Sequence, residues 1–301
     1  MKKSIRVKNT LPPRHGCIQN EEFKMKNVSL NIIKCLAVLI LSGTSVAEQN
    51  PYDDLDWQAG PKTQELVNKA TIFLPEGYFY LNTEETDKYL ELGQNFPTGN
   101  ENFFAPDNWA WESYFSFNDI GYVKDDDEID GDELLQQMKD GDEASNKRRK
   151  EMGWSTLTTI GWEFPPRYDT VQRRLEWAYL LKGENNEKIV NYETRILGRS
   201  GVMEVVLVAT PDMLNQAVQE LNSHLTTFEF KQGEKYSNYI EGDRVAEYGL
   251  AALIAGGAAA LATKKGFWAA IVGFFVAMKK FAIIAVIAVF GFVISLFKRK
   301  K

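Results

Sequence analysis

IVNYETRILGRSGVMEVVLVA occupies residues 189–209. In its first half Val190, Tyr192 and Ile196 alternate with Asn191, Glu193 and Arg195, the period of two that a half-buried strand requires. Gly198-Arg199-Ser200-Gly201 then turns the chain. Residues 202–209 that follow are apolar enough for a central strand. Working backwards, Val171, Leu175, Trp177, Tyr179 and Leu181 alternate with Gln172, Arg174 and Glu176, a third strand pattern for which a helix also stays open. Gly183-Glu184-Asn185-Asn186 supplies the turn between them. Strands joined by such short turns pair antiparallel.

Outward from this core, Ile72 to Leu81 reads as two short strands around the turn Pro75-Glu76-Gly77. Residues 83–92 follow as a short helix, with Thr83 as its cap and Glu84, Glu85 and Asp87 in the first turn. Residues 109–117 and 121–123 are aromatic and strand-like. Residues 132–152 predict a polar surface helix whose few apolar positions are Leu134, Leu135 and Met138. Thr210-Pro211-Asp212 opens another helix, a hydroxyl cap followed by proline and an acid. Leu214, Ala217, Val218, Leu221 and Leu225 form its buried stripe, and Phe228-Glu229-Phe230 returns as strand. The fold class is α+β: a mainly antiparallel sheet with flanking helices over residues 48–244, plus a C-terminal transmembrane helical tail over 245–301.

Charge separates the ends from this body. Residues 1–47 carry eight basic and two acidic side chains, residues 48–248 nineteen and thirty-nine, and residues 249–301 eight and none. An acidic body lacks the phosphate-neutralising patch that nucleic-acid binding needs, so that function class is excluded. Both cysteines, Cys17 and Cys35, fall in the first 47 residues. That stretch has the three-part layout of a secretory signal: Met25-Lys26-Asn27, an apolar run interrupted by Lys34, and Ser45-Val46-Ala47. The layout begins at Met25, which is the expected initiator. At the other end, residues 281–297 are uncharged and precede Lys298-Arg299-Lys300-Lys301. As a helix they span ~26 Å, enough to anchor the chain in lipid with flanking lysines reaching outward. The basic end is expected on the cytoplasmic side. The apolar stretches before it allow a second crossing or an interfacial helix.

Chemistry-bearing patterns are sparse. His224 is the one histidine past residue 47, at the polar end of the expected helix, where a surface or capping role is expected. Gly198-Arg199-Ser200-Gly201 is one residue short of a nucleophile elbow. Asp125, Asp126 and Asp127 head an acidic run that fits a calcium loop until its bidentate position, which holds the neutral Gln137; a solvated charge run is the other reading. Gly161-Trp162-Glu163-Phe164-Pro165-Pro166-Arg167-Tyr168-Asp169 has two prolines that hold the chain extended. Trp162, Tyr168 and Asp169 there form either a rigid aromatic groove or a strand end whose rings fill the core. Asn191, Arg195 and Arg199 could meet a ligand anion or partner carboxylate, or else pair within the fold. One concave site lined by Trp162, Tyr168, Asn191 and Arg195 is the arrangement to look for.

Leu74-Pro75-Glu76-Gly77-Tyr78, Gly121-Tyr122-Val123-Lys124-Asp125-Asp126 and Asn146 with Arg148-Arg149 carry a resemblance to the DUF2167 family of membrane-anchored proteins. It continues through Gly161-Trp162, Pro166, Tyr168-Asp169, Trp177-Ala178, Asn191-Tyr192 and the run from Arg195 to Val202, and ends with Tyr248-Gly249 and Gly256-Gly257. It implies a bacterial envelope protein with a signal peptide and a C-terminal anchor, and brings no activity, cofactor or catalytic residue. The order of elements is also similar to Mog1/PsbP-like domains, an analogy of fold that says nothing of function. The expected function is a binding or scaffolding module displayed from the inner membrane into the periplasm, held by membrane lipid through its tail, with a protein partner and no cofactor. The alternative is an envelope hydrolase or transferase using carboxylates or a divalent cation.

Overall fold

The computed structural model describes residues 50–126 and 129–254. In chain order its elements are β1 (Gln58–Ala59), β2 (Lys62–Leu66), β3 (Ala70–Leu74), β4 (Tyr78–Leu81), α1 (Thr83–Leu92), β5 (Glu101–Pro106) and β6 (Trp111–Asn118). There follow α2 (Gly131–Glu151), β7 (Leu157–Asp169), β8 (Arg174–Gly183), β9 (Lys188–Leu197), β10 (Val202–Ala209), α3 (Leu214–Leu225), β11 (Glu229–Phe230) and α4 (Leu250–Ile254). The architecture is a mostly antiparallel sheet with a few helices. Two compact units divide it: the described residues up to Ser116 with Leu207–Glu229, and Phe117–Val206 with the residues from Phe230 onward.

In the first unit β4 pairs antiparallel with β1 and β5, and β5 with β6. The turn 75–77 separates two strands as expected, but they pair elsewhere: β3 forms a hairpin with β2. Leu81, Tyr89, Phe103, Trp109 and Tyr114 gather into one cluster. Helix α1 has its expected span, yet its cap is Asn82, whose side chain accepts from Glu85 N at 3.1 Å, and not Thr83. The expected start of α3 is corrected too. Thr210 begins a turn, with Met213 N donating to its carbonyl, and the regular helix opens at Leu214 without a side-chain cap. Leu214, Ala217 and Leu221 of the stripe are buried, while Val218 and Leu225 are half-buried.

The second unit holds the candidates. Its strands lie in the order β10-β9-β8-β7, with β9–β8 and β8–β7 antiparallel. β7 is outermost; three register shifts mark it, and Pro165 and Pro166 fall in the last of them, between Phe164 and Arg167, where the ladder with β8 is interrupted. Val171 is not on the β8 face. It sits in the β7–β8 turn, 90% exposed, because the strand resumes only at Arg174. Between β9 and β10, Gly201 is glycine for want of space: a Cβ there would lie 2.1 Å from the Asn118 carbonyl oxygen.

Leu175, Trp177, Leu197 and Val202 on one face of these strands pack with Val123, Leu134 of α2, and Leu250, Leu253 and Ile254 of α4. Leu250, Leu253 and Ile254, at the opening of the first apolar stretch of the tail, are thus buried in this unit. The expected signal segment and the 281–297 anchor lie outside the described residues. Among those described, no helix is long and apolar enough to cross a membrane.

Candidate functional site

Cross-strand register decides which candidates meet. Trp162 stands opposite Tyr179, and Tyr179 opposite Asn191; Tyr168 stands opposite Leu175, and Leu175 opposite Arg195. Opposed residues share a face, so Trp162, Tyr168, Asn191 and Arg195 lie on one side of the sheet, where the polar alternate residues of β9 meet the apolar ones of β8. That side is filled, not concave. Trp162, Tyr168 and Tyr179 pack against the buried cluster itself.

The polar set on this face forms a closed layer. Arg195 is 7% exposed. Its Nη2 donates to Glu193 Oε2 at 2.5 Å, and its Nε lies 3.6 Å from Glu204 Oε1 on β10. Tyr179 donates to Glu193 Oε1 at 2.9 Å, Asn191 Nδ2 to the Tyr179 hydroxyl at 3.2 Å, and Asn118 Nδ2 to Glu204 at 3.3 Å. The guanidinium stands 4.8 Å from the Trp177 ring, a cation–π contact. The buried indole N–H of Trp177 finds no acceptor. Burial works against the charge on Arg195, but Glu193 and Glu204 outweigh it, and its pKa rises. Burial, then Glu193, pushes the Tyr179 phenol up. This arginine is neutralised inside the fold and has no open side for a ligand anion.

A buried acid on the opposite face was not read from the sequence. Glu176 accepts from Arg167 Nε at 2.7 Å and from the Tyr192 hydroxyl at 2.6 Å, with Arg174 Nη2 at 3.4 Å. The alternation had placed it towards solvent. The sheet is covered on both faces here, which periodicity alone does not reveal.

The remaining candidates stand apart from that layer. Asp125 gathers the Tyr168 hydroxyl at 2.8 Å, the Tyr236 hydroxyl at 3.1 Å and an ion pair with Arg173. Tyr236 stacks on Tyr122 with ring centroids 4.4 Å apart. Burial alone would raise the Asp125 pKa; the two hydroxyls and Arg173 outweigh it and hold the carboxyl below its ordinary value. Asp126 is exposed and Asp127 lies outside the described residues. Among those described, no group of three His, Cys, Asp or Glu side chains could hold a metal ion. Asp169 accepts the amides of Val171 and Gln172 at 2.8 and 2.9 Å, fixing the β7–β8 turn. Arg199 makes a bidentate pair with Asp243 at 2.7 and 2.8 Å. The Ser200 hydroxyl donates to Glu234.

His224, in the first unit, is no surface cap. It is half-buried against Tyr78 at 4.5 Å and Phe104 at 5.3 Å. Burial lowers its pKa, with Glu220 opposing.

One open hollow of about 520 Å³ lies at the start of α2, lined by Ile129, Asp130, Gly131, Asp132, Trp162 and Pro165. Of the four residues expected around a concave site, it contains Trp162 alone. Its helix amides are already occupied, since Asp130 Oδ1 accepts from Asp132 N and Glu133 N. The Trp162 indole donates to the Gly131 carbonyl at 2.9 Å.

Sequence reasoning also missed how α2 meets β7. Asn146 binds both backbone groups of Leu157, Asp142 binds Thr159, and Arg149 donates to the Ser155 carbonyl. The available signal was polar residues at positions i, i+4 and i+7 of a helix with almost no apolar stripe.

A family model described as "Protein of unknown function (DUF2167)" matches residues 58–290. No curated protein matches the chain. Among solved structures, cyanobacterial PsbP (CyanoP) from Synechocystis sp. PCC 6803 is similar over 58% of this chain and 91% of that one, at 12% identity and a TM-score of 0.36.

Proposed function

The chain belongs to the DUF2167 family, whose function is unknown, and from that premise we propose that it is a membrane-anchored binding or scaffolding module of the bacterial envelope. One observation carries this reading. The described charged candidates are engaged within the second unit, Arg195 by Glu193, Arg199 by Asp243, Asp125 by Tyr168, Tyr236 and Arg173, and Asp169 by backbone amides, except for the exposed Asp126. Groups held this way rigidify a fold. They offer no nucleophile with a base beside it. What the body presents outward is an acidic surface on a stiff sheet, suited to a protein partner.

In this account the apolar, lysine-flanked segment 281–297 anchors the body to lipid, and the body faces the periplasm. Chemical cross-linking of the full chain in native membranes, followed by detergent extraction, tests the reading. The expected product is one adduct of defined mass in stoichiometric yield. A chain that is recovered only as itself, at every cross-linker length, contradicts it.

A further inference from the structure

Past its first turns, α2 is held to the sheet by polar contacts. Leu134 and Arg149 are its buried residues. Leu134 joins the core cluster, and the Trp162–Gly131 hydrogen bond pins the helix start. Further along, Asp142, Asn146 and Arg149 share one helical face. Asn146 Nδ2 donates to the Leu157 carbonyl at 2.7 Å, and its Oδ1 accepts from Leu157 N at 2.9 Å. Asp142 accepts from Thr159 N at 2.7 Å and from its hydroxyl at 3.0 Å. Arg149 Nε donates to the Ser155 carbonyl at 2.5 Å.

Leu157 and Thr159 alternate along the start of β7 and Ser155 lies two residues before it, so the groups these side chains bind line the outward edge of β7 and of the chain leading into it. They are the groups an added strand would pair with. The Asn146 carboxamide, which both donates to and accepts from Leu157, offers what the facing residue of an antiparallel neighbour offers.

We propose that α2 beyond Gly141 is a displaceable strap standing in for an absent strand, and that the edge beneath it, residues 155–159, is where an extended segment of a partner polypeptide adds to the sheet. The proposal rests on the binding-module reading and gives that binding its mode. Three features support it. A helix with so little apolar face has little to hold it when its polar contacts exchange for water. Gly141 sits in the helix interior although a Cβ there would meet nothing within 4 Å, so the glycine weakens the helix without serving packing. Pro165 and Pro166 lack the N–H that an added strand needs, which confines addition to the part of β7 before them. Backbone pairing of this kind supplies affinity with little demand on sequence.

Hydrogen exchange of the full chain in mild detergent tests the strap. Amides of α2 after Gly141 should exchange by local opening, faster than those of β8 and β9. Gly141→Ala should slow them about fivefold and Asn146→Ala should speed them about tenfold, with β8 and β9 unchanged in both. Exchange of α2 in step with β8 and β9 in all three proteins overturns the strap. For the edge, the probe is a fluorescein-labelled peptide RLEWAYLLKG, the sequence of β8, which pairs antiparallel with β7 on its inner side. The expected affinity is about tenfold higher for Asn146→Ala than for the natural chain, and lower for Gly141→Ala. Equal affinity for the three, or no binding to Asn146→Ala, overturns the docking edge. The cross-linking result tests the binding-module reading separately.

Discussion

Replacing Arg195 by methionine keeps much of its volume and removes its charge. The side chain is 8% exposed and Glu193 beside it 12%, so the substitution leaves an acid in a place water barely reaches. Breaking such a buried pair from one side costs about 3–5 kcal/mol. Glu193 keeps the Tyr179 hydroxyl at 2.9 Å, which places the expected loss at the lower end, about 3 kcal/mol. For a body of this size that lowers Tm by roughly 6–12 °C. The assay is urea unfolding of the full chain in mild detergent, followed by tryptophan emission, since Trp177 lies against the guanidinium. Arg195→Met with Glu193→Gln removes the charges of this pair, leaving the more exposed Glu204, and should recover about 2 kcal/mol relative to the sum of the single losses. If Arg195→Met stays within about 0.5 kcal/mol of the natural chain, as exposed substitutions do, the arginine is not a structural element and the reasoning fails.

Three further outcomes follow from the same contacts. Asp125 has its pKa lowered in the fold, so its contribution is present above an unfolded value of about 4 and lost as pH falls through the lower folded value. The stability difference between the natural chain and Asp125→Asn should therefore shrink on acidification below about pH 4; a difference that grows there contradicts the assignment. His224 also has its pKa lowered, chiefly by burial. Its stabilisation is complete above about pH 6.5 and declines below it until the folded value is passed. His224→Gln should flatten the denaturant midpoint across that window, and an unchanged slope would show that the ring is not buried. Gly201→Ala drives a Cβ to 2.1 Å from the Asn118 carbonyl oxygen. A loss of about 1–3 kcal/mol is expected from overpacking, and thermal unfolding without a shift would show that the contact is not tight.

Much of the architecture was legible in local pattern. Periodicity placed β9 and its turn into β10, and the spans read for α1 and α2 hold to within a residue although the cap read for α1 does not. The failures concern what lies above a strand. Glu176 alternates with Trp177 as a solvent-facing acid would, but both faces of β8 are covered, so it became a buried acceptor for Arg167 and Tyr192. Asn191 and Arg195 were read as the polar face of β9, yet the register sets them beside the apolar face of β8 that carries Leu175, Trp177 and Tyr179. Whether that face was a groove or an interior depended on α4 and the segment around Val123, far away in sequence. His224 followed its helix position and not its partners Tyr78 and Phe104, which come from other strands. The clasp of α2 on β7 left a trace in Asn146 and Arg149, which belong to the family resemblance, but the strand edge they bind is fixed only by tertiary packing.

Protease accessibility in spheroplasts of a bacterial host producing the full chain bears most directly on a membrane-displayed binding module. The account predicts that added protease degrades the body over residues 50–254, while a tag following Lys301 is protected and stays in the membrane pellet after a high-pH wash. A body that resists protease until the cells are lysed, and that leaves the pellet in the wash, would contradict it.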